Sequence, residues 1–114
     1  MKIEKFKIIQ FIREFIIMID KEMDNYPKKD IELKNRIRIN SFDVLEIAYE
    51  ANNEENIENK KRLLLKALAK IKIMDFLINL SYDKKILTAK KYYKLGEKMD
   101  DILKDLTGWI KSLS

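Results

Sequence analysis

No cysteine and no histidine occur among the 114 residues of this chain. Without cysteine there are no disulfides and no thiolate metal sites, which suits a cytoplasmic location. Without histidine the commonest general base, the commonest metal ligand and the imidazole of nucleophilic triads are all missing. Turn formers are almost as scarce, with one proline and two glycines. A chain with so few sharp turns, rich in Leu, Ile, Lys and Glu, is expected to form long helices joined by short connections. Long hydrophobic runs are missing too. The isoleucine-rich opening is broken by Glu4, Lys5, Lys7, Arg13 and Glu14. No small-residue cleavage site follows, so neither a signal peptide nor a membrane span is expected.

What is present is helical periodicity. The spacing of Ile8, Ile12, Phe15, Ile19, Met23 and Tyr26 predicts a helix from about Ile3 to Asn25, stopped by Pro27. Asp30 stands where a second helix needs an N-cap. That helix reaches about Asn52 with Leu33, Ile37, Ser41, Val44, Ala48 and Ala51 on one side. Asn52–Asn56 reads as a turn, since asparagine competes for its own backbone. A third helix runs from about Ile57 to Asp83 or Lys84 and has two apolar faces. One holds Leu63, Leu64, Ala67, Ile71, Met74 and Ile78; the other holds Leu65, Ala69, Ile73, Phe76, Leu77 and Leu80. A surface helix of a monomeric bundle needs only one such stripe. The second is read as an oligomer interface, the alternative being a central helix covered on both sides by its own chain. Thr88 can cap a fourth helix, although Lys91 sits where a capping box has Glu. This helix has the most regular stripe in the chain: Tyr92, Leu95, Met99, Ile102, Leu106, Trp109 and Leu113. Together these readings predict one all-α domain over residues 1–114, an antiparallel up-down-up-down four-helix bundle.

The net charge of +5 is unevenly distributed. Residues 31–56 carry −3, residues 57–82 carry +4 and residues 83–114 carry +3. An anionic partner, nucleic acid or an acidic protein, fits the basic half. The basic candidates there are Lys60, Lys61, Arg62, Lys66, Lys70, Lys84, Lys85, Lys90, Lys91 and Lys94. An ordinary solvated lysine face is the competing reading. Tyr92 falls on the core stripe, which leaves Tyr93 to stack on bases. Catalytic signals are weak. Asp100 and Asp101 point about 100° apart on a helix and cannot converge on one atom. A di-iron bundle needs Glu-x-x-His motifs, and Gly96 and Gly108 are too isolated for a phosphate loop. No enzymatic activity, cofactor or metal is therefore expected. Gly108, beside Trp109, either lets a neighbouring helix or subunit approach the backbone or marks fraying near the helix end.

Several short motifs, taken in order, resemble a known family. Tyr26-Pro27-Lys28, Asn35-Arg36-Ile37-Arg38 and Glu50-Ala51-Asn52 are similar to segments at the two ends of helix 2 in a group of bacterial four-helix bundles. Ser81-Tyr82-Asp83, Lys85-Ile86-Leu87-Thr88, Lys90 and Tyr92 resemble that family's link between helices 3 and 4, and Gly108-Trp109-Ile110-Lys111 resembles its closing motif. The family is the accessory variability proteins of diversity-generating retroelements. A related branch is encoded by intervening sequences in bacterial large-subunit ribosomal RNA genes. The resemblance implies a homopentameric barrel with a basic surface, a reverse transcriptase partner, and binding of template RNA or cDNA during mutagenic reverse transcription. Arg36 and Arg38 then join the basic nucleic-acid candidates. The oligomer-interface candidates are Leu65, Ile73, Phe76, Leu77, Leu80, Gly108 and Trp109. The alternative branch implies a structural or interaction role with no retroelement partner. The chain departs from the family pattern at Asn79, where arginine is usual, at Ile31-Glu32, and at Thr107, which replaces a second glycine.

Overall fold

The computed structural model describes the backbone of residues 2–113 and the side chains of residues 7–113. Four helices account for most of it: α1 (Lys2–Asp20), α2 (Ile31–Asn53), α3 (Ile57–Asp83) and α4 (Ala89–Ser112). There is no strand among the described residues. The molecule measures 43 × 23 × 18 Å. A 27-residue helix such as α3 spans about 40 Å at 1.5 Å per residue, so the helices lie along the long axis. Each packs on its sequence neighbours, and α4 closes against α1. Short connections make these neighbours antiparallel, and the result is a four-helix bundle. Among the described residues, no helix is long and apolar enough to cross a membrane.

The core follows the sequence stripes closely. All of Ile8, Ile12, Phe15, Ile19, Met23 and Tyr26 are buried, as are Leu33, Ile37, Val44, Ala48 and Ala51. From α3 come Leu64, Ala67, Ile71, Met74 and Ile78, and from α4 Leu95, Met99, Ile102, Leu106 and Trp109. Ile47 and Asn40 of α2 are buried as well.

Two boundaries differ from expectation. Helix α1 ends at Asp20, not near Asn25, and a 3-10 turn at Met23–Asn25 follows. The chain tightens where the Glu22 amide bonds to the Ile19 carbonyl at 2.9 Å. That turn still carries Met23 and Tyr26 into the core, so the apolar spacing outlasts the helix. Asp30 does not cap α2 with its side chain. Its buried carboxylate instead meets Lys84 Nζ at 3.0 Å. A buried charge is costly unless paired, and the 3-10 turn at Lys28–Asp30 lets a backbone bond, Ile31 amide to Lys28 carbonyl, begin the helix.

The other ends are capped by side chains. Asn56 Oδ1 accepts from the Asn59 amide at 2.9 Å, and Thr88 Oγ1 accepts from the Lys91 amide at 3.3 Å. Helix α3 closes in a Schellman motif. The Ile86 amide reaches the Ser81 carbonyl and the Lys85 amide reaches the Tyr82 carbonyl. Lys85 takes the left-handed position with φ 65°, where glycine is usual.

Three polar bridges link the α1–α2 and α3–α4 connections at one end of the bundle. Tyr26 Oη donates to Ser81 Oγ at 2.8 Å, with both residues buried. Lys84 pairs with Asp30, and Lys91 pairs with buried Glu22 at 3.1 Å. The last contact explains a lysine at the capping-box position: it neutralises a buried acid of the α1–α2 connection.

Candidate nucleic-acid and protein interfaces

The basic candidates separate into two groups by what surrounds them. Lys70, Lys84 and Lys91 are paired with Asp43, Asp30 and Glu22 at 3.0–3.1 Å. Their charge is locally compensated and fixed in the fold. Arg36, Arg38, Lys60, Lys61, Arg62, Lys66, Lys85, Lys90 and Lys94 form no ion pair among the described residues. Most of these are exposed, with Lys60 and Lys61 half-buried. Arg62 and Lys66 lie one turn apart on α3, and Arg62 Nη2 donates to Asn59 Oδ1 at 3.3 Å. Lys90 and Lys94 lie one turn apart at the start of α4, whose first turn contains no acidic residue. Cations there add to the positive end of the helix dipole, giving a strongly electropositive spot.

The second apolar face of α3 is split by the fold. Leu77 and Leu80 are half-buried against the core. Leu65, Ile73 and Phe76 remain exposed at 48%, 47% and 62%, and Ala69 lies exposed between them. Among the described residues, nothing covers the Leu65–Phe76 part of this stripe. A second exposed set on α2, Ile39, Phe42 and Tyr49, escaped the sequence reading. Its three- and seven-residue spacing was available there, hidden by the stronger core stripe. Trp109 is buried at 6% exposure and belongs to the core. Gly108 beside it is exposed, α4 continues past it to Ser112, and a Cβ there would meet nothing within 4 Å.

Tyrosines line the α3–α4 seam. The Tyr82 and Tyr92 rings stack with centroids 4.2 Å apart and planes 5° apart. Tyr92 Oη donates to Asn79 Oδ1. Burial raises the Tyr92 phenol pKa, and the nearby charges of Asp75 and Asp83 add to the rise. Tyr93 projects into solvent at 65% exposure. Compared with known proteins, the chain matches no family model and no curated sequence.

Proposed function

We propose that this protein is a non-enzymatic, homo-oligomeric accessory factor that binds nucleic acid through backbone electrostatics. The observation that carries the reading is the set of exposed, unpaired cations on α3 and α4 beside an uncovered apolar stripe. Cations paired in the fold contribute little to a partner, so Arg62, Lys66, Lys85, Lys90 and Lys94 are the phosphate contacts. Leu65, Ile73 and Phe76 supply the subunit contact. The motif resemblance supports a pentameric assembly, a reverse transcriptase partner and a role in a diversity-generating retroelement. Genomic neighbourhood tests the setting: a reverse transcriptase gene found beside this one would support it, and location within a ribosomal RNA gene would instead support the intervening-sequence branch.

Filter retention of single-stranded RNA tests the binding. Retention falls steeply with salt, because each phosphate contact contributes roughly −0.7 to the slope of log K against log salt. Reversal of Arg62 and Lys66 to Glu weakens retention and flattens that slope, whereas Lys70→Gln changes it little. Retention indifferent to salt overturns the binding reading. Light scattering that shows a monomer at micromolar concentration overturns the oligomer.

A further inference from the structure

Exposed large hydrophobics are unevenly shared among the four helices. Ile39, Phe42 and Tyr49 of α2 and Leu65, Ile73 and Phe76 of α3 are 41–62% exposed. Among the described residues, α1 and α4 contribute one each, Ile17 and Tyr93. At 100° per residue, the three on each of α2 and α3 fall within a sector of about 80° on the side away from the buried stripe. Two neighbouring helices thus present outward apolar rows, a surface that monomeric proteins seldom leave bare. The charges among these rows differ in sign. Residues 31–56 carry −3 and residues 57–82 carry +4. On α2 the outward sector holds exposed Glu46 and Glu50; on α3 it holds exposed Arg62 and Lys66. None of the four forms an ion pair among the described residues.

Register is the second, independent sign. The Lys70–Asp43 bridge fixes the relative heights of antiparallel α2 and α3. Both helices rise 1.5 Å per residue, so heights can be counted outward from that bridge. Phe42 and Ile39 then stand level with Ile71 and Met74, to either side of Ile73. Tyr49 stands level with Leu64, next to Leu65. Glu46 and Glu50 stand level with Ala67 and Leu63, next to Lys66 and Arg62. Rotation of a second copy about the long axis of the bundle preserves every height. Its α3 can therefore meet α2 with apolar rows opposite apolar rows and acids opposite cations. Contact of α3 with α3, or of α2 with α2, would set like charges against each other, which is costly.

We propose that α2 of one copy packs antiparallel on α3 of a neighbouring copy, at equal height, with Glu46 and Glu50 paired to Lys66 and Arg62 across the contact. The proposal rests on the homo-oligomer reading and adds α2 and its acids to the subunit contact. Phe42 and Ile39 supply apolar area opposite Ile73, and the two charge pairs set register and partner choice more than affinity. Phosphate and the neighbour's carboxylates draw on the same two cations, so association is measured without nucleic acid.

Sedimentation equilibrium of the full chain provides the test. Glu46→Lys/Glu50→Lys and Arg62→Glu/Lys66→Glu each weaken self-association about tenfold, as two screened pairs turn into repulsions. General repulsion has a different signature. The first variant raises the net positive charge and the second lowers it, so a nonspecific effect would move them in opposite directions. The quadruple variant restores opposite signs across the contact and returns to within about threefold of wild type, the mark of coupled sites. Phe42→Ser weakens association about tenfold through lost apolar burial, while Ile17→Ser on α1 leaves it unchanged. All these side chains are exposed, so helical circular dichroism is retained. A wild type that is monomeric at micromolar concentration overturns the oligomer reading and this contact with it. Where the wild type associates, the α2–α3 contact alone is overturned if either charge reversal or Phe42→Ser associates as tightly as wild type. It is also overturned if the quadruple variant stays as weak as the doubles, or if Ile17→Ser matches Phe42→Ser.

Discussion

Removing either partner of the Tyr26–Ser81 hydrogen bond should have unequal consequences. The bond is 2.8 Å long, joins residues 55 apart in sequence, and lies in the buried interior. Ser81 Oγ also donates to the Leu77 carbonyl at 2.8 Å. In Tyr26→Phe the serine keeps that donation, and only an acceptor lone pair is left idle. The expected cost is that of one net hydrogen bond, about 0.5–1.5 kcal/mol. In Ser81→Ala the tyrosine hydroxyl remains, buried and without its acceptor, and the cost rises to about 1–3 kcal/mol. The double variant has no orphaned hydroxyl and should lie close to Tyr26→Phe. Urea unfolding followed by Trp109 fluorescence measures all three, and about 1 kcal/mol should also move the melting temperature by roughly 4 °C. Alkaline pH adds a second readout. Burial raises the Tyr26 phenol above its usual 10.0, partly opposed by the Ser81 bond and assisted by Glu22. The folded chain thus keeps a proton that the unfolded chain releases. This contribution is intact below about pH 10 and declines as pH rises through the folded phenol's pKa. Tyr26→Phe lacks the decline, so its deficit against wild type shrinks above pH 10. A Ser81→Ala cost no greater than that of Tyr26→Phe would refute the reasoning.

Two further outcomes are expected. Trp109→Ala should lose about 3–5 kcal/mol, a large share of a domain stability of about 5–15 kcal/mol; a melting temperature within a few degrees of wild type contradicts the buried assignment. Glu14 accepts from Lys98 Nζ at 2.7 Å and from Gln10, and these bonds hold its pKa below 4.5. Its stabilisation is present above the unfolded carboxylate's pKa and is lost as pH falls through the folded value, so Glu14→Gln should flatten the acid limb of a stability–pH curve. An unchanged acid limb argues against the Lys98 contact.

The helices and their inward faces were legible because core burial imposes a 3.6-residue period that sequence preserves directly. The α4 stripe from Leu95 to Trp109 is buried as expected, and Thr88 caps that helix. What escaped depends on contacts between distant segments. Asp30 has the residue type and position of an N-cap, but Lys84, more than fifty residues away, takes its carboxylate. Lys91 looked like a missing glutamate until Glu22 was seen beneath it. The left-handed turn at Lys85 lacks a glycine signal altogether. For the interfaces, sequence identified the exposed half of the α3 stripe but assigned Leu77 and Leu80 to the same face. Helical-wheel angles do not show where a neighbouring helix's cover stops. The shallow cleft between α3 and α4 was legible only in fragments, since Asp75 and Asn79 of one helix come to line it with Glu97 and Asp100 of the other only through helix packing.

The three bridges between the two connections make the bundle unequal along its length. One end is clasped, since Tyr26, Asp30 and Glu22 grip Ser81, Lys84 and Lys91 across the two hairpins. At the other, the Glu54–Asn56 turn is held by bonds local in sequence. Backbone amides at the clasped end should then exchange with deuterium only in global unfolding, while those flanking Glu54–Asn56 exchange earlier through small openings. The protein would breathe from one end, with the tyrosine–serine contact as its hinge pin.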